Sequence, residues 1–116
     1  MITKNEVRRF LKGFLEKMQF WDVLFLDDRT KNNQTLADLE LRPIDRKKVL
    51  ESLKVEDYSQ GPLEELWHGS STMWVFGKNI KSHELYIKIT MGIEGASVIC
   101  ISFHIAEFAM DYPFKN

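Results

Sequence analysis

At 116 residues, 44% hydrophobic and 28% charged, the chain has the make-up of one compact domain spanning 1–116. It is not that of a disordered, collagenous or coiled-coil protein. Sixteen basic and seventeen acidic side chains leave a net charge of −1, so there is no global positive field to gather nucleic acid, and contact with an anion falls to a local cluster. The longest near-apolar stretches, such as Val98–Phe103, are far short of the ~18–20 residues that cross a bilayer. The charged N-terminus is unlike a secretory signal, and the single Cys100 forms no internal disulfide and suits a reducing cytoplasm.

The chain opens on a predicted helix over residues 1–20. Thr3 and Glu6 match a capping box, in which hydroxyl and carboxylate satisfy each other's free amides. Val7, Phe10, Leu11, Phe14, Leu15 and Met18 then recur at helical spacing on one face. Trp21–Asp27, short, aromatic and β-branched, reads as a buried strand. Arg29–Gln34 reads as a polar turn, and Thr35–Leu39 as one helical turn. Pro43 breaks that run, and a second helix follows over Asp45–Lys54, capped by Asp45, with Ile44, Val49, Leu50 and Leu53 facing inward. Val55–Ser71, with Gly61-Pro62 and Gly69-Ser70-Ser71, reads as a loop carrying a short helix near Leu63–Trp67. Beyond it the hydrophobic period changes from 3.6 to 2. Met73–Lys78, Glu84–Met91 and Ser97–His104 read as three strands whose short connections force antiparallel pairing. The apolar end of the tail, Tyr112-Pro113-Phe114, is expected to dock. The sum is an α+β domain: an N-terminal helix, then a sheet core with a second helix.

Alternation along the last two strands sorts side chains by face. Leu85, Ile87, Ile89 and Met91 share one side with Ile99, Ile101 and Phe103 on the next strand; both sets are apolar and go to the core. Tyr86 and Lys88 then share the open face with Val98, Cys100, Ser102 and His104, and the consistent registers put Tyr86 opposite Ser102 or His104. Lys78, ending the preceding strand, is within reach of the same surface. A phenol, an ammonium, a hydroxyl and an imidazole side by side are the parts of metal-free RNA cleavage: proton transfer to and from the reacting oxygens and positive charge on the phosphate. His104 supplies proton exchange, Tyr86 a proton or a stacking ring, Lys88 and Lys78 charge. An ordinary wetted sheet face carries such residues too.

Other groups carry less. His68, His83 and His104 match no zinc-ligand spacing, and no cysteine pair or phosphate-binding glycine loop is present, so neither metal nor nucleotide cofactor is expected. His104 and Glu107 could form an acid–base pair for a small-molecule hydrolase or transferase, or only a hydrogen bond at a strand end. Cys100 reads as a small buried residue.

Four strings taken in order, Leu36–Pro62, Met73–Lys78 (MWVFGK), Glu84–Ile89 (ELYIKI) and Cys100–Glu107 (CISFHIAE), resemble the MqsR-like toxins of bacterial type II toxin–antitoxin systems. The resemblance covers roughly residues 36–107. It implies a RelE-like fold, about four antiparallel strands with two main helices on one face. It also implies metal-independent cleavage of mRNA and a cognate antitoxin protein, of helix-turn-helix type, as partner. The family's strand tyrosine and lysine fall on Tyr86 and Lys88. Its lysine after Ser-Phe falls on His104, which keeps acid–base chemistry but not a permanent charge. A second family lysine meets Gln60 and a tyrosine meets Ser59, leaving Tyr58 as the nearest phenol, and a family glutamine meets Val75. Tyr86, Lys88 and His104 are thereby the catalytic candidates, with Lys78, Ser102 and Tyr58 as substrate-binding candidates. The competing class is a non-catalytic interaction protein that uses the same sheet face for a protein partner. Oligomeric state is left open.

Overall fold

The computed structural model describes residues 1–26, 30–64 and 72–115. The element order is α1 (Lys4–Trp21), β1 (Val23–Phe25), α2 (Thr30–Asp38), α3 (Pro43–Glu51), a 3-10 turn (Val55–Asp57), β2 (Tyr58–Leu63), β3 (Met73–Ile80), β4 (His83–Thr90) and β5 (Val98–Ile105). The fold is α+β, with a five-stranded mixed sheet in the order β1-β5-β4-β3-β2. β1 runs parallel to β5 and the other neighbours are antiparallel. The sheet is thus larger than the four antiparallel strands expected. No described helix is long and apolar enough to cross a membrane.

Helix α1 forms where its signals lie. The Thr3 hydroxyl accepts from the Glu6 amide at 3.2 Å and the Glu6 carboxylate accepts from the Thr3 amide at 3.2 Å. Val7, Leu11, Phe14 and Met18 are buried. They pack with Leu50 and Leu53 from the α3 segment onto Phe76, Leu85, Ile87, Ile89 and Phe103 of the sheet. One sheet face is therefore the core, and burial of these side chains is the main stabilising term.

Four readings of the sequence are corrected. The polar segment expected as a turn is, from Thr30 onward, part of α2, because two polar side chains of that helix are buried for a purpose; Arg29 lies outside the described residues. Asn32 Nδ2 donates to the carbonyls of Leu26 (3.0 Å) and Ile101 (3.2 Å), its Oδ1 accepts from the Phe103 amide (3.0 Å), and the Thr35 hydroxyl accepts from the Ile105 amide (3.0 Å). The second helix ends at Glu51, not Lys54, and starts at Pro43, two residues earlier than expected, since the missing N–H of proline is not needed in the first turn. Asp45 caps from within that turn, accepting from the Arg42 amide at 2.9 Å. Ile44 then faces outward at 63% exposure, and Arg46 turns inward with its guanidinium 4.0 Å above the Phe25 ring. Tyr58–Leu63 is an edge strand, not a loop; it tolerates Pro62 because its pairing is irregular, with register shifts on both sides of Gln60. Finally, Lys88 pairs with Ser102 but Ile89 with Cys100, so Ile101 is an extra residue in β5. This bulge turns Val98 and Cys100 into the core and Ile99 outward, against uninterrupted alternation. The residues beyond Leu26 in the first predicted strand, and those from Glu65 in the predicted short helix, lie outside the described residues.

Asn32 serves three main-chain groups. Replacement by Ala strands them, and we expect Asn32→Ala to destabilise the fold by about 2–4 kcal/mol. Urea unfolding read by circular dichroism tests this: the midpoint falls while the denaturant slope is unchanged.

Candidate active site

The sheet face opposite the core carries Tyr86, Lys88, Ser102 and His104. The register sets Tyr86 directly across from His104 and Lys88 across from Ser102. The two rings stack, with centroids 5.1 Å apart and planes inclined by 14°, and the Lys88 ammonium lies 5.8 Å from the Tyr86 ring centre. His104 is only 8% exposed and Ser102 1%. His104 Nδ1 is 3.0 Å from the Ile105 carbonyl oxygen. A carbonyl only accepts, so Nδ1 carries the hydrogen and Nε2 of the neutral ring keeps a lone pair.

These four residues line a cleft of about 590 Å³. Lys31 of α2 and Glu107 close one side, Ser59 and Gln60 of β2 line another, and Phe108–Asp111 of the C-terminal segment form a wall. The wall has its own anchor. The Tyr112 hydroxyl donates to Glu84 Oε2 at 2.7 Å, and a Cβ built on Gly77 would sit 2.1 Å from that hydroxyl. Only glycine at position 77 lets the tail lie against the sheet. Phe114 completes the strap by stacking on Tyr58 at 5.4 Å.

Two expected contributors are elsewhere. Lys78 alternates with Trp74 and Phe76 and so projects from the core side of β3; its ammonium binds Asp57 Oδ2 at 3.0 Å and the Ser52 carbonyl at 3.2 Å. Tyr58 is 3% exposed, packed edge-on against Trp74 and Phe76, with its hydroxyl donated to the Gly61 carbonyl. Both are structural. Cys100 is buried in the core. Glu107 does not pair with His104 but accepts from Lys31 at 2.6 Å, and that bond holds its carboxyl below the usual range. Lys31 carries no signal of its own in the sequence, because it is placed by α2, and the polar residues that seat that helix, Asn32 and Thr35, are explained only by their long-range bonds to β5. Phe108, Met110 and Asp111 carry no local signal, because only docking of the tail makes them neighbours of the cleft.

Among the described residues, no group of three or more His, Cys, Asp or Glu side chains is placed to hold a metal ion. His83 Nδ1 lies 2.9 Å from the Lys81 carbonyl, and His68 lies outside the described residues. Comparison with protein-family models, curated proteins and solved structures found no match to this chain.

Loss of solvent, and then the Glu84 carboxylate, push the Tyr112 phenol well above its ordinary value. Between the unfolded value, about 10, and the folded one, the unfolded chain has lost a proton that the folded chain keeps. This stabilisation is complete below that window and is lost as pH rises through it. We expect Tyr112→Phe to lose stability less steeply than wild type above about pH 10, in urea titrations run at a series of alkaline pH values.

Proposed function

We propose that the chain is a metal-independent endoribonuclease of toxin type on a RelE-like sheet, acting on mRNA in the cytoplasm and held in check by an antitoxin protein. The observation that carries this reading is the Tyr86–His104 stack on the cleft floor, with His104 Nδ1 committed to a carbonyl and Lys88 alongside. The positions that match the MqsR-like family's polar residues support it. Ser59 and Gln60 line the same cleft, and Val75 pairs with both Gln60 and Lys88.

In this mechanism His104 Nε2 takes the proton of a ribose 2′-hydroxyl, and the 2′-oxygen attacks the adjacent phosphorus. The bond from phosphorus to the 5′-oxygen breaks, and Tyr86 gives that oxygen its proton. The products are a 2′,3′-cyclic phosphate and a 5′-hydroxyl. Lys88 stabilises the charge that gathers on the phosphoryl oxygens. Burial of His104 and Ser102 beneath the cleft wall lowers the local dielectric and strengthens that interaction. Ser102, paired with Lys88, offers a hydroxyl to the same oxygens.

Purified protein should cut single-stranded RNA in the presence of a chelator and leave cyclic-phosphate ends. His104→Ala should lower the rate by about 10²–10⁴-fold, and Tyr86→Phe, which keeps the ring but not the hydroxyl, should also slow it. Gel and mass-spectrometric analysis of the fragments reads both. Intact RNA with the wild-type protein, or wild-type cleavage by His104→Ala, overturns the proposal; cleavage restored only by a divalent ion overturns its metal independence.

A further inference from the structure

The cleft does not end at the catalytic candidates. Lys31 and Glu107, joined Nζ to Oε1 at 2.6 Å, line it together with His104, and the same three residues line an adjoining hollow of about 270 Å³ between α2 and β5. The ion pair is therefore the saddle between the two hollows. Any strand longer than the main cleft that leaves on this side crosses it.

The pair is set apart by its place: Lys78 and Lys47 also bind carboxylates, those of Asp57 and Asp22, but neither of those pairs lines the cleft. The Lys17 ammonium binds the carbonyls of Met91 and Ile93, and that of Lys81 the carbonyl of Leu39; these tie segments of the fold together. Lys31 binds a carboxylate on the cleft itself, and the two partners remain 61% and 51% exposed. Such a pair contributes little to folding. A phosphate, with the same sign of charge and more acceptor oxygens, can replace the carboxylate on the ammonium at little cost. Phe108 follows Glu107 directly on the rim of the cleft and is 84% exposed. A cation and an unburied ring lining one cleft are the pairing by which proteins hold single-stranded nucleic acid without reading its sequence.

Building on the nuclease reading, we propose that Lys31 and Phe108 form an outer nucleotide subsite for single-stranded RNA. Lys31 takes the phosphate next to the scissile one, Phe108 stacks the adjoining base, and Glu107 occupies Lys31 until the strand arrives. Glu107 is thereby a built-in competitor of the substrate. The subsite is separate from the acid–base centre and sets affinity, not chemistry.

The test is binding of a short, labelled single-stranded RNA, 2′-O-methylated at every nucleotide so that 2′-attack cannot occur, measured by fluorescence anisotropy over a salt series. Lys31→Ala should weaken binding and make the dependence of log Kd on log salt shallower by about 0.7, the loss of one phosphate contact on a single strand. Phe108→Ala should weaken binding about tenfold with the slope unchanged, and Phe108→Trp should restore it. Glu107→Gln should bind more tightly than wild type. A wild-type salt slope in Lys31→Ala, binding by Glu107→Gln no tighter than wild type, or no binding of the probe by the wild-type protein overturns the subsite. Its fate is separable from that of the nuclease. Unmodified RNA that is cut while Lys31→Ala keeps the wild-type slope removes the subsite alone; RNA that is bound with the expected shifts but never cut removes the nuclease and leaves a strand-binding site.

Discussion

The strand that carries Ser102 and His104 has a partner along nearly its whole length on one side but only along its first half on the other. β1 covers Val98–Cys100 and then stops, with the Leu26 amide making the last bond to the Cys100 carbonyl. Beyond that point the carbonyl of Ile101 and the amides of Phe103 and Ile105 face outward and would be buried unpaired, which folded proteins avoid. Asn32 and Thr35 supply the missing bonds. Two polar side chains one helical turn apart thus do the work of a strand. The arrangement fixes α2 against β5, and with α2 comes Lys31. The charge beside His104 is therefore a by-product of completing the ladder of the strand that bears it.

The second constraint is the extra residue at Ile101. On its N-terminal side β5 sends Val98 and Cys100 to the helices; on its C-terminal side Phe103 goes to the helices while Ser102 and His104 go to the cleft. Without the bulge the strand could not have apolar residues inside at both ends and polar residues outside at one. Bulges re-aim side chains in this way at many sites. The tail then encloses the face so prepared, and it does so against a glycine. Gly77 lies directly opposite Tyr86 in the ladder, so the row that presents the phenol also provides the gap that Tyr112 fills.

What the amino-acid order disclosed follows from the range of the forces involved. α1 was legible because its capping box and apolar stripe are local, and β3, β4 and β5 because alternation is local as well. That period alone puts Tyr86, Lys88, Ser102 and His104 on one face, although the bulge turns Cys100 away from it. The same alternation, carried from Trp74 and Phe76 to Lys78, would have put that lysine on the core side. α2 was illegible because its polar residues are explained only by a strand about 70 positions away. β1 was found as a strand, but its parallel pairing with β5 is a long-range fact. Gly61-Pro62 disguised β2, since an irregular edge accepts what a central strand would not. Tyr58, at the start of that edge, turns inward onto Trp74 and Phe76, and no short-range pattern announces it.

Both margins of the sheet are poor templates for further growth. On one side β1 is three residues long, and the Asp22 carboxylate already accepts from the Val23 amide at 2.8 Å. On the other, β2 is twice out of step with its neighbour and contains a proline that has no amide to offer. Short or irregular borders of this kind deny an incoming chain the regular row of donors and acceptors on which fibrils and strand-swapped pairs are built. The features that obscured these two strands in the sequence are the ones that keep the sheet at five strands.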